Sequence, residues 1–398
     1  MKFRPFAATR PEETDAAQVA SVPYDVVDLA RARELAKGNA KSFLHVSRPE
    51  IDMPDGTPPS SAQALAQAKK ALDALAARGV LAKDATRRYY AYRQTMHGRS
   101  QTGVVGAFDA KDYENGVVKR HELTRKDKED ERLLHVETLG AQTGPAFLAY
   151  RDDAEIPAIV EEARGRGGRL FDFTAEDGVR HEGWIVAEEG SPEAARLEEL
   201  FDAAGPAYIA DGHHRTAAAV RFARERGFEG ECAGVMAVAF PAGELRILPY
   251  NRLVKGLNGL SKYEFMSALA QNFEIGAKGE RGCRMFLDGA WHDLAWSVGA
   301  DAGAVASLDV SHLQDNLLAP VLGIKDPRTD RRIFFEGGIS GEEALERKVR
   351  AGEASVAFSM KAVTMDEIMA IADAGETMPP KSTWFEPKLR SGLFVHTV

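Results

Sequence analysis

Cysteine is scarce in this chain: Cys232 and Cys283 are the only two in 398 residues. Neither belongs to a CxxC pair, which excludes a disulfide framework and a thiolate zinc cluster. Both read as small core residues, and the expected compartment is the reducing cytoplasm. Long apolar runs are also missing. No stretch approaches the ~20 residues that a membrane-spanning helix needs. The opening Met1-Lys2-Phe3-Arg4-Pro5 lacks the apolar core of a secretory leader. Excess basic charge is absent too: 51 Lys+Arg stand against 60 Asp+Glu, a net charge of −9. Basic surface supplies most non-specific affinity for nucleic acid, so neither nucleic acid nor membrane is an expected partner. HExxH and the Walker GxxxxGK loop do not occur.

What remains is an ordinary globular composition, 44% hydrophobic and 28% charged. The length suits two domains better than one core. The pattern predicts an α+β chain. Residues 28–37 read as a short helix, and Ser60–Arg78 as a longer one with Leu65, Ala68, Leu72 and Leu75 at helical spacing. Arg88–Thr95 and Gln101–Phe108 read as a hairpin about His97-Gly98. Val235–Phe240 is predicted as a buried strand with Leu245–Leu248 as its hairpin partner. Asp309–Leu322 is predicted to be helix. Gly256–Gly259 marks a boundary between a core of residues 1–255, with an inserted helical segment around 121–138, and a smaller α+β domain of 256–398. The aromatic, proline-rich tail is expected to pack back on the core.

Chemistry-bearing residues concentrate in Asp211-Gly212-His213-His214-Arg215, between an apolar strand end and a helix beginning near Thr216. A helix start offers unpaired N–H groups and the positive end of a dipole. Gly212 lets backbone approach a ligand, and Arg215 can fork two hydrogen bonds to an oxyanion. His213 and His214 can donate to phosphate oxygens. Asp211 could hold Mg²⁺; alternatively it is a plain helix cap.

Other candidates lie elsewhere. Asp25 follows Ser21-Val22-Pro23-Tyr24 and reads locally as the cap of the next helix. In Lys41–Glu50, His45 and Ser47 are expected on one face of a strand, with Arg48 either lining a cleft or bridging to Glu50. In the charged run from His121, a helix capped by Thr124 would align Lys128 and Arg132 as a phosphate clamp or a solvated face. His121 and Glu122 stand before it, where a binding loop would be. Arg328, Arg331 and Arg332 bind an anion or brace a domain contact. In the tail, Lys381 is a substrate-binding candidate, and Lys388 and Arg390 are candidates for closing the site.

The Asp211–Arg215 turn resembles that of the ParB/sulfiredoxin superfamily, whose free serine kinase branch carries a similar turn. The whole chain resembles domain-of-unknown-function family 1015, through Phe3-Arg4-Pro5-Phe6, Pro23-Tyr24-Asp25-Val26, and the run from Pro379-Pro380-Lys381 to Gly392-Leu393-Phe394. The resemblance implies a ParB/sulfiredoxin-like mixed core and phosphoryl transfer from ADP or ATP, with Mg²⁺, to a small hydroxylated metabolite. Asp25 matches the position of that branch's N-terminal catalytic carboxylate, with Asp in place of Glu. A non-catalytic nucleotide-binding regulator, a hydrolase of a phosphorylated metabolite, and a homodimer remain open.

Overall fold

The computed structural model describes residues 1–299 and 301–398. The chain divides into two compact units, Met1–Leu245 with Pro387–Val398, and Arg246–Glu386.

The first unit is built on a nine-stranded mixed sheet. In spatial order its strands are Val118–Lys119, Ala207–Asp211, Ala146–Tyr150, Gly234–Pro241, Arg99–Asp109, Arg88–Met96, Arg180–Glu188 and Arg169–Thr174, with Phe3–Arg4 also on Arg99–Asp109. Two contacts are parallel, Ala207–Asp211 with Val118–Lys119 and Gly234–Pro241 with Ala146–Tyr150. Gly234–Pro241 is buried almost throughout, as an apolar run with a strand on each edge must be. The hairpin closes at His97 and Gly98, with φ of 51° and 75°, the paired positive values that match strand twist. Phe3, Tyr89, Phe108, Leu148, Ile209 and Val235 form the core with the Pro192–Ala203 and His213–Glu225 helices. The helix Ala62–Ala77 starts where the Ser61 hydroxyl accepts from Ala64 N–H and buries Leu65, Ala68 and Leu75.

Several expectations are corrected. Residues 41–50 do not form a strand: Leu44–Ser47 is a turn of α-helix and Pro49–Asp52 a 3₁₀ turn. Ser47 N–H bonds Phe43 O at 2.9 Å and Arg48 N–H bonds Leu44 O at 2.8 Å. The backbone is thus satisfied locally, and Pro49 suits the first position of the next turn. Thr124 does not cap the following helix, Lys126–Leu139; Arg125 stands at the cap without a side-chain bond. The signature helix begins at His213, not near Thr216. Ile247–Leu248 pairs with Trp384–Phe385, because both edges of Gly234–Pro241 are already occupied. The α-helix at Asp309 ends at Leu313 and passes into a π-helical turn, Gln314–Leu318.

The second unit carries a six-stranded antiparallel sheet in the order Glu274–Ile275, Ala290–Trp296, Arg281–Leu287, Val356–Met360, Tyr250–Val254, Ile333–Gly337. Leu253, Phe286, Leu345 and Ala357 form its core. Capping boxes at Ser261/Glu264 and Thr364/Glu367 start two of its helices. No described helix is long and apolar enough to cross a membrane.

Candidate functional site

The strand Ala207–Asp211 pairs regularly with Ala146–Tyr150 until its register shifts between Ile209 and Asp211. Such a bulge re-aims the side chain that follows it, here Asp211 at the sheet's end. Gly212 then turns the chain with φ of 88°. A Cβ there would stand 2.8 Å from Arg215 Nη2, so both conformation and space call for glycine. Gly212 is the helix cap, and no side chain caps His213–Glu225. Asp211 is therefore not a cap, and the first helical turn keeps its positive end uncompensated by a side-chain acceptor.

Asp211 is the hub of an ion-pair cluster. Lys388 Nζ donates to Oδ1 at 2.6 Å and Arg215 Nη2 to Oδ2 at 3.3 Å. Burial alone would raise its pKa, but Lys388 and Arg215 outweigh this and hold the carboxyl below its ordinary range. Burial also opposes the charge on Arg215, while Asp25 and Asp211 more than restore it. Mg²⁺ does not fit Asp211 in this arrangement, since both carboxylate oxygens already face cations. Among the described residues no three His, Cys, Asp or Glu side chains gather as a metal would need.

The two histidines differ. His213 is 5% exposed, and neither ring nitrogen has a hydrogen-bond partner within the protein. Its ring meets His121 edge to face with centroids 4.6 Å apart. Burial, then His121, push the titration of His213 well below the ordinary value. Burial lowers that of His121 to about 4. Both rings are neutral at physiological pH. His214 Nε2 instead accepts from Arg125 N–H at 3.0 Å, fastening the 120–125 loop to the helix start. Glu122 stands half-buried in that loop.

Asp25 is exposed and acts electrostatically on both Arg215 and His214. It is free of capping duty, because Asp28 caps Leu29–Ala36 by accepting from Arg31 N–H at 2.8 Å. The turn that presents Asp25 is braced by Arg48, whose Nη1 donates to Tyr24 O at 2.8 Å and to Val27 O. Arg48 also pairs with Glu50.

Arg132 lies under the Tyr24 ring, 4.0 Å from its centroid, and donates to Glu131 at 2.6 Å. Lys128 is engaged with Glu131 as well. Arg132, Arg215, Tyr24, Gly144, Thr216 and Ser391 are among the residues enclosing a cavity of about 30 Å³. His45 is not on this wall: its Nδ1 meets Asp52 at 2.8 Å and its Nε2 meets Asn39 O at 3.2 Å. Lys381 lies in the second unit, 5.2 Å over the Tyr250 ring. Arg328 and Arg332 pair with their neighbours Asp326 and Asp330.

Gly144, Thr216 and Ser391 were not marked by the sequence. Thr143-Gly144-Pro145 reads locally as a turn, Thr216 as the opening of a helix, and Ser391 lies far along the chain. Only the fold places them around Arg215.

No curated protein matches the chain. Among solved structures, a free serine kinase in complex with AMP aligns at 14% identity, covering 72% of this chain and 90% of that one, with a TM-score of 0.36. A conserved hypothetical protein from Pyrococcus furiosus aligns at 16% identity over 73% and 94% of the chains, with a TM-score of 0.36. SbnI with a C-terminal truncation, from Staphylococcus aureus, aligns at 12% identity over 74% and 87%, with a TM-score of 0.40. The family model described as "protein of unknown function (DUF1015)" matches residues 3–311, and the chain belongs to that family.

Proposed function

We propose that the protein transfers a phosphoryl group from a nucleotide, ADP or ATP, to the hydroxyl of a small metabolite, on a core of ParB/sulfiredoxin-like type. The observation that carries this reading is an exposed, non-capping carboxylate, Asp25, whose charge is felt by the Arg215 guanidinium at a helix start with no side-chain cap. Helix N–H groups and Arg215 hold phosphate oxygens. Neutral His213 supplies one further N–H donor from its buried ring. Asp211 keeps Arg215 and Lys388 in place as their counter-ion. Asp25 accepts the acceptor's hydroxyl proton as the new O–P bond forms and the bond to the nucleotide's bridging oxygen breaks. Positioning and electrostatics supply most of the rate enhancement in such a site.

The test is a thermal-shift panel with ADP, ATP, CTP, serine and phosphoserine, followed by turnover with any nucleotide that stabilises the protein. A ligand selective for the native state raises the melting temperature by mass action. Arg215→Ala should lose nucleotide binding, and Asp25→Asn should bind yet fail to turn over. A fully active Asp25→Asn protein would reject the base assignment. Stabilisation by phosphoserine alone would replace the kinase reading with a hydrolase. Tight nucleotide binding without turnover would replace it with a regulator.

A further inference from the structure

The cavity beside Arg215 collects an unusual share of the molecule's unsatisfied polarity. Four of its lining side chains carry a buried polar atom with no hydrogen-bond partner within the protein: Ser47 Oγ, Arg132 Nε, Arg215 Nε and Thr216 Oγ1. Ser47, Arg132 and Thr216 are 4%, 6% and 0% exposed, so bulk solvent does not reach them. Leaving a buried polar group unpaired costs about 1–3 kcal/mol. Four around one cavity is therefore an arrangement that a bound partner would relieve.

The partner's chemistry follows from the atoms. Both guanidinium nitrogens are obligate donors, and both hydroxyls can donate. Each arginine already meets one carboxylate through Nη2, Arg132 with Glu131 and Arg215 with Asp211, which leaves Nε–H unspent in both. Burial holds the Tyr24 phenol protonated, its titration pushed up to about 12, so it adds no negative charge. His135, also on the wall, is a neutral ring whose Nε2 is engaged by Val46 O at 3.0 Å. The volume of about 30 Å³ admits two or so oxygen-sized atoms, since one water needs roughly 10–15 Å³.

We propose that this cavity is an oxyanion subsite, holding the terminal oxygens of a carboxylate or a phosphoryl group between Arg132 and Arg215. It shares Arg215 with the cradle proposed above but needs no nucleotide. The C-terminal segment completes it through Ser391. Gly144 is its size gate: a Cβ there would stand 3.2 Å from Ser391 Oγ and 3.6 Å from Arg215 Cδ. An alanine would thus fill space that the oxyanion uses.

The experiment measures binding of inorganic phosphate, acetate and ADP separately, by calorimetry at constant ionic strength, to the full chain and to Gly144→Ala and Ser47→Ala. At least one of phosphate and acetate should bind the unaltered protein. Binding of acetate alone identifies a carboxylate group as the occupant, and binding of phosphate alone a phosphoryl group. Ser47→Ala should lose about tenfold in oxyanion affinity, the worth of one hydrogen bond to a charged group, and Gly144→Ala should also bind more weakly because its methyl takes up the space. Ser47→Ala removes an unpaired buried hydroxyl, so its melting temperature should stay level or rise while affinity falls, a combination that a structural role would not give. The proposal is overturned if neither oxyanion binds the unaltered protein, or if Ser47→Ala binds with unchanged affinity. Failure of the unaltered protein to bind ADP while it binds an oxyanion would count against the nucleotide reading alone.

Discussion

At the scale of single residues, the site depends on two positions whose neighbours leave little choice. Gly212 combines φ of 88° with the Arg215 guanidinium where a Cβ would go. Gly212→Ala should cost roughly 1–2 kcal/mol from the left-handed conformation and displace Arg215. Its unfolding midpoint and ADP affinity should both fall; unchanged ADP affinity would show that Arg215 tolerates displacement. Lys388 is the second position. Lys388→Met leaves the part-buried Asp211 carboxylate with Arg215 alone and should cost about 1 kcal/mol, the low end of the penalty for a charged group losing a partner. Denaturant titration checks this, and Asp211→Asn combined with Lys388→Met should recover part of the loss, because the carboxylate left without Lys388 is then removed while Arg215 keeps only Asp25. At this scale Asp211, Gly212 and Arg215 were legible because four chemical types adjoin at a strand-to-helix turn. The alternation about His45 suggests a strand, whereas a helical turn points the ring at Asp52.

At the scale of elements, the C-terminal segment acts as a structural member of the first unit. Ser391 and Ser21 exchange backbone bonds at 2.8 and 3.1 Å, Thr9 and Val395 exchange two at 2.9 Å, and Gln94 Nε2 donates to Lys388 O at 2.9 Å. Phe394 is buried against Tyr90, Tyr92 and Phe171. These contacts are what bring Lys388 to Asp211 and Ser391 to the cavity. Phe394→Ala should cost about 3–5 kcal/mol as a core truncation. Among the molecules that remain folded, oxyanion affinity should drop because the segment loosens. Isothermal titration well below the variant's melting temperature reads this; wild-type affinity there would mean that the segment holds its place without the phenyl anchor.

At the scale of the whole molecule, buried neutral histidines set the response to acid. His121 and His135 titrate near about 4 and about 3 in the folded protein, both displaced chiefly by burial, against roughly 6.5 when unfolded. Between those values the unfolded chain binds more protons. Their contribution is therefore fully present above about pH 6.5 and is lost as pH falls toward 4. Each group contributes on the order of 3 kcal/mol over that window. The melting temperature should decline steadily from about pH 7 to about pH 4, and His135→Gln should flatten part of that slope. An equal slope in the variant would place the proton uptake elsewhere.

The amino-acid order by itself determined the helices with clear periodicity and caps, the hairpin at His97-Gly98, the buried strand about Val238, and the turn that joins Asp211 to Arg215. Each of these is set by hydrogen bonds and apolar spacing within a few residues. Only the tertiary structure decided that Leu245–Leu248 finds no partner on an already filled strand. The same holds for Ser47, Arg132, Thr216 and Ser391 closing around one cavity. Those outcomes depend on contacts between segments up to hundreds of residues apart, where the competition for edges, counter-ions and space is settled by packing, and no local pattern encodes it.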